Sequence, residues 1–200
     1  DDALRDRIRK NLTEKPYGGN IADYIEKVNA LNGVGQTKVF PAWQGNGSVL
    51  LSIVDPTFNP CLPEFIRTVK KKIDPDENTG EGVGIAPIGH YVTVTTPVKS
   101  NVNINLSVEH ENSYTLSEIT ESITEKINLY FQSVRSQYEQ NSNLTIYRSR
   151  IVEKILELPF ILNVPLESVT LNGLSRDIVF VDEGLLEHQY LPYVGEVTIE

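Results

Sequence analysis

Apolar residues along the chain follow two rhythms, one of three to four residues and one of two, and their alternation predicts the elements. Leu4, Ile8 and Leu12 repeat at helical spacing until Pro16 and Gly18-Gly19. Asn20 can cap a second helix with Asp23 in its first turn and Ile21, Ile25 and Val28 inward, stopped by Gly33-Val34-Gly35. Strands at Thr37–Ala42 and Ser48–Asp55 then flank the turn Trp43-Gln44-Gly45-Asn46-Gly47. Leu50, Leu51, Ile53 and Val54 are apolar on both faces, which places that strand inside a sheet. Pro63 suits the first turn of a helix with Phe65, Ile66, Val69 and Ile73 inward, and Asp74-Pro75 ends it. A long glycine-rich loop, 74–89, leads to a strand over 90–96 that Thr96-Pro97 breaks.

The second half carries the sharpest pattern. Val102, Ile104, Leu106 and Val108 alternate with Asn101, Asn103, Asn105 and Ser107, predicting a strand wet on one face. Thr115-Leu116-Ser117-Glu118 has capping-box form and opens a helix whose stripe is Leu116, Ile119, Ile123, Ile127, Tyr130, Val134 and Tyr138. Asn141-Ser142-Asn143 reads as a linker to a shorter helix with Ile151, Ile155 and Leu158. Strands are expected near Ser168–Leu171, Ile178–Val181 and Val194–Ile199. The expected fold class is α+β: two small two-layer units, each with helices packed on one face of a mixed or antiparallel sheet, divided near Thr96–Ser100 into 1–98 and 99–200.

Composition narrows the function classes. Net charge is −9, with 11 basic and 12 acidic residues in 1–98 against 7 and 15 in 99–200. A binder of backbone phosphates needs clustered Lys and Arg, so nucleic acid is disfavoured as a partner. No apolar run long enough for a membrane span and no signal-like opening stand out. One cysteine, Cys61, gives no internal disulfide and no thiolate cage. With Asp1 first and no methionine, the chain reads as an excised piece of a longer protein.

The chemical motifs each fail on context. Gly80-Glu81-Gly82-Val83-Gly84 lacks the Lys-Ser or Lys-Thr and the following helix of a phosphate loop. Asp74, Asp76 and Asn78 imitate a calcium loop, but Thr79 and Ile85 hold its glycine and glutamate positions, so an exposed acidic turn is expected. His90, His110 and His188 lack ligand spacing, and Cys61 has no adjacent base. There is no Gly-x-Ser-x-Gly elbow. Glu121 with Glu125, and Glu153 with Glu157, are helical pairs that could act on a glycosidic bond only inside a cleft. Lys70-Lys71-Lys72 is expected to be solvated at a helix C-terminus, and Asn11, Asn46 and Asn143 fit the glycosylation pattern. No catalytic, cofactor-binding or metal residue is therefore nominated.

Two blocks add a resemblance. Gly33–Asp55, with Gly33, Val34, Gly35, Trp43, Gly45, Gly47 and Asp55, resembles the central block of the baseplate J-like family. Gly80-Glu81-Gly82, Ala86-Pro87-Ile88-Gly89, Val92–Val94, Pro97 and Val102–Val108 follow in that family's order. Val169-Thr170-Leu171-Asn172-Gly173 and Gly195-Glu196-Val197-Thr198-Ile199 resemble its final domain. The resemblance implies a structural wedge component in the baseplate of a contractile phage tail, phage-like bacteriocin or defective prophage particle. It implies contacts with other wedge proteins and with copies of itself, no cofactor, no membrane, no catalysis, and assembly in the bacterial cytoplasm; the isolated piece is expected to be monomeric or weakly self-associating. Loop 74–89 and exposed sheet edges are the expected contact surfaces. The alternatives are a cell-wall hydrolase, with convergent carboxylates in a cleft, and a carbohydrate- or receptor-binding domain using Trp43, Tyr91, Tyr190 and Tyr193.

Overall fold

A computed structural model describes residues 18–111, 113–181 and 189–199, and these residues form two compact units that divide after Pro97. The helix expected around Leu4, Ile8 and Leu12, together with Asn11 and His188, lies outside the described residues.

In the first unit, helix α1 (Ile21–Asn29) starts where Asn20 Oδ1 accepts the amide of Asp23 at 2.8 Å. A cap of this kind stabilises a helix by about 1 kcal/mol. Strands β1 (Gln36–Pro41) and β2 (Ser48–Val54) form the expected hairpin, in antiparallel register from Gln36 opposite Val54 to Pro41 opposite Val49. Helix α2 (Pro63–Ile73) begins with proline in its first turn, where a missing N–H costs nothing. Strand β3 (Tyr91–Thr95) then pairs parallel with β2, giving a mixed sheet of order β1-β2-β3. Tyr24, Val28, Val49, Leu51, Ile53, Val69, Ile73 and Val92 form one core between helices and sheet. Leu50 and Val54, on the other face of β2, are also fully buried, as a strand apolar on both sides requires.

The second unit is organised by strand β4 (Val98–Leu106), central in a mixed sheet between β10 (Tyr190–Ile199, parallel) and β8 (Thr170–Leu171, antiparallel). Two antiparallel ribbons flank it, β5 (Glu109–His110) with β7 (Ile161–Asn163), and β6 (Asn143–Ile146) with β9 (Ile178–Val181). Helix α3 (Leu116–Arg135) carries the full capping box: Thr115 accepts the Glu118 amide while Glu118 accepts the Thr115 amide. Its buried stripe of Ile119, Ile123, Ile127, Tyr130, Phe131 and Val134 packs on the sheet, and α4 (Arg148–Leu156) adds Ile151 and Ile155. Each fully buried side chain of this size contributes about 2 kcal/mol before the entropy of ordering it. The α+β class with small mixed and antiparallel sheets is as expected.

Several details differ from the pattern reading. Val28 is buried as expected, but Ile21 is 48% exposed, and Asp23 and Tyr24 join Val28 on the buried side of α1. Leu116 likewise faces solvent, because it occupies the first helical turn beyond the sheet-covered stripe. The alternating strand ends at Leu106, short of Val108, and the Asn141–Asn143 linker runs directly into β6. Ala42 is not in β1; it has φ of 56° and starts the hairpin turn.

Candidate assembly site

The glycine-rich loop after α2 is held to its unit by one carboxylate. Asp74 caps α2 and is 2% exposed. Its Oδ2 accepts from the Val92 amide (2.9 Å), the Thr79 hydroxyl (2.6 Å) and Lys70 Nζ (2.9 Å), while Oδ1 accepts from the Gly80 amide (3.0 Å). Lys70 also donates to the Asp74 carbonyl. Burial alone raises the Asp74 pKa, but the hydrogen bonds from Thr79, Val92, Lys70 and Gly80 outweigh it and hold the carboxyl below its ordinary value. Asp74 is therefore a buried hub and not the exposed turn residue expected from its calcium-loop mimicry. Lys70 is likewise engaged and not simply solvated, since an anion at a helix C-terminus opposes the dipole and needs a partner.

The rest of the loop is tied by backbone. Ile85 and Ala86 donate to the carbonyls of Lys72 and Ile73, Gly89 donates to Gly80, and Tyr91 donates to Gly47 at the hairpin. Gly84 is required by this approach, because a Cβ there would collide with the Ile73 carbonyl. So fixed, the loop displays Val83 (64% exposed) and Ile88 (81%), next to Tyr91 (54%) at the start of β3. Beside it, α1 and the hairpin enclose a concave, mostly apolar groove of about 610 Å³, lined by Ile21, Tyr24, Val39, Pro41, Val49 and His90 among others. Within it the Tyr24 hydroxyl hydrogen-bonds His90 Nδ1 at 2.9 Å with the rings stacked 5.9 Å apart. Burial, with Asp74 and Asp23 nearby, pushes the Tyr24 phenol up, so it stays neutral.

The residues that carried the resemblance have local structural work. Asp55 Oδ1 accepts from the Thr57 amide and hydroxyl and from the Asn59 amide, closing the turn after β2. Gly35 lies so close that a Cβ would strike the Asp55 carbonyl, which explains a glycine there. In the second unit the Asn103 amide donates to Asn172 Oδ1 (2.8 Å), the Asn172 amide returns to the Asn103 carbonyl (2.8 Å), and Asn103 Oδ1 accepts the Glu196 amide (3.0 Å). Gly195 sits at the β10 bulge, where any Cβ would overlap Asn103 Oδ1. The polar face of β4 is thus partly engaged, and because β4 is central the open edges belong to other strands.

Among the described residues the reactive candidates do not converge. Among the described residues no three His, Cys, Asp or Glu side chains are grouped as metal ligands. His90 pairs with Tyr24, and His110 Nδ1 meets the Glu111 carbonyl. Burial raises the Cys61 thiol to about 11, so it is not a nucleophile at neutral pH. Glu153 pairs with Arg150 at 2.6 Å, and Glu157 with Lys126 and Lys154, as solvated helix pairs do. Trp43 and Tyr91 belong to the first unit, Tyr190 and Tyr193 to the second, where Lys99 and Arg135 approach the Tyr193 ring at 4.7 and 4.2 Å. Among the described residues no helix is long and apolar enough to cross a membrane.

The sequence matches the Baseplate J-like central domain over residues 16–96 and the Baseplate J-like protein C-terminal domain over residues 102–200. The chain belongs to the baseplate J-like family. It is 30% identical over 199 residues to the phage-like element PBSX protein XkdT of Bacillus subtilis (strain 168), covering all of this chain and 53% of that protein. It is 29% identical over 133 residues to baseplate protein gp47 of Escherichia phage Mu, covering 64% of this chain and 35% of gp47. The chain thus spans about half the length, or less, of these curated relatives. Its fold is similar to a chain in the cryo-EM structure of the anti-feeding prophage (AFP) baseplate, 6-fold symmetrised, with TM-score 0.55, 5% identity, and 95% of this chain and 41% of that one covered. Sequence reasoning missed Asp74, Tyr24 and Asn103 as organising residues. For Asp74 a signal existed: an acidic residue at a helix C-terminus, following three lysines.

Proposed function

We propose that this chain is a structural part of a phage or phage-like particle baseplate, holding its place through protein–protein contacts and catalysing nothing. The observation that carries the reading is the match of the family's central and C-terminal domains, in that order, to the two units. The site supports it. A loop pinned by Asp74 presents apolar side chains beside an apolar groove without first having to be ordered, which lowers the cost of docking. Its partners are neighbouring wedge proteins and further copies of the chain, and it acts in the particle after assembly in the bacterial cytoplasm. The units divided near Thr96–Ser100 act as separate domains.

The test is location and activity together. Particles from cells carrying an epitope-tagged copy are purified and labelled with gold-conjugated antibody; label at the baseplate end of the tail is the expected result. The protein is also incubated with peptidoglycan, where no release of soluble fragments is expected. Label elsewhere, or fragment release above a heat-inactivated control, overturns the proposal.

A further inference from the structure

The apolar groove between α1 and the hairpin has Gly19, Asn20 and Ile21 in its wall. The described chain begins at Gly18, so residues 1–17 join the first unit at the groove's edge. The junction is tightly held. Gly18 and Gly19 have φ of 57° and 87°, a left-handed turn that glycine adopts at little cost. The Gly19 amide donates to Asp23 Oδ2 at 3.0 Å. A Cβ on Gly19 would collide with Pro87 and come within 3.1 Å of His90, whose ring lines the groove. The backbone here lies flat against the groove wall, and a fixed turn sets the direction from which the preceding chain enters.

Residues 1–17 carry the matching chemistry. Leu4, Ile8 and Leu12 repeat every four residues, and Pro16 stops the pattern. As a helix the segment has one narrow apolar stripe about 12 Å long, with Asp6, Lys10 and Thr13 on the opposite side. A helix this short is marginal in water unless tertiary packing covers its apolar face. The groove offers that cover: about 610 Å³, walled by Ile21, Tyr24, Val39, Pro41 and Val49, with Ile21 still 48% exposed. Leu12 is seven residues from Gly19, at most about 25 Å of extended chain, so the groove is within the stripe's reach.

From the fixed turn, the apolar stripe and the groove at their junction we infer that residues 1–15 fold back as a helix and seat Leu4, Ile8 and Leu12 in the groove of the same chain. The inference stands apart from the baseplate reading, because it needs only one chain. Its consequence for assembly is a groove closed from within. A neighbour that meets the display loop at Val83 and Ile88 finds the polar back of the segment beside it.

The test is amide hydrogen exchange of the full chain and of two variants. I8A/L12A removes the stripe while keeping helix propensity. I21D alters the groove rim at an exposed position in the first turn of α1, where the helix dipole favours an acid, so the unit stays folded. Amides of residues 6–14 are expected to exchange at least about tenfold more slowly in the unaltered chain than in a peptide of residues 1–17. Both variants are expected to lose that protection while exchange in β1, β2 and β3 is unchanged. Methyl NOEs from Ile8 to Val39 or Val49 are expected at concentrations where sedimentation shows a monomer. Peptide-like exchange in the unaltered chain, or protection that survives in either variant, overturns the inference. Protection and NOEs that vanish on dilution overturn it too, by showing that the segment seats in a second copy.

Discussion

Replacing Asp74 by alanine tests how the display loop is held. The substitution removes the acceptor for four donors at once: the amides of Val92 and Gly80, the Thr79 hydroxyl and the Lys70 ammonium. The Val92 donor is buried, and leaving such a group unmatched costs about 1–3 kcal/mol. Lys70, only 19% exposed, loses its close counter-ion but can turn toward water, so its share is smaller. Taken together, a loss of roughly 3–5 kcal/mol is expected for the first unit, comparable to breaking a buried ion pair. Urea denaturation followed by the Trp43 fluorescence of that unit measures it, and amide hydrogen exchange of residues 76–92 shows whether the loop is released. The pH dependence gives a second reading. Because the folded pKa lies below the ordinary carboxylate value, the carboxylate's contribution is present above pH of about 4 and is lost as pH falls through the folded pKa. The Asp74→Asn chain should lack that acid-dependent component. A destabilisation under about 1 kcal/mol with unchanged exchange at Val92 would refute the role given to Asp74.

Other consequences are directly measurable. Gly195→Ala drives a methyl into the space of Asn103 Oδ1 and should lower the stability of the second unit by about 1–3 kcal/mol, read as a lower thermal midpoint; Asn103→Ala in the same chain should recover part of that loss by vacating the space. Cys61 in the folded protein should react with a thiol reagent orders of magnitude more slowly than in urea, because burial both hides the thiol and raises its pKa to about 11.

What the sequence made legible was one-sided local periodicity. Strand β4 and helix α3 were readable because each buries a single face, so apolar residues recur at the element's own period. Strands β5 and β7 are two or three residues long and exist through long-range pairing, so no period could mark them. In α1 the apolar spacing fits two adjacent faces. The unit buries the one with Asp23, whose carboxylate accepts the Gly19 amide ahead of the helix and pairs with Lys27 in its last turn. The glycines of the family blocks could be recognised as motif but not explained. Their reason lies in atoms distant in sequence, such as the Asn103 side chain beside Gly195. For Asp74 the sequence held only a hint, an acid at a helix C-terminus; its donors come from α2, the loop and β3, and only the fold brings them together.

The central claim is that this chain builds a baseplate. Deleting its gene and inspecting induced particles by negative-stain electron microscopy tests it most directly. The account predicts that complete tails disappear and return when the gene is supplied in trans, and that they return less well with the Asp74→Ala variant. Particles with intact baseplates from the deletion strain would contradict it.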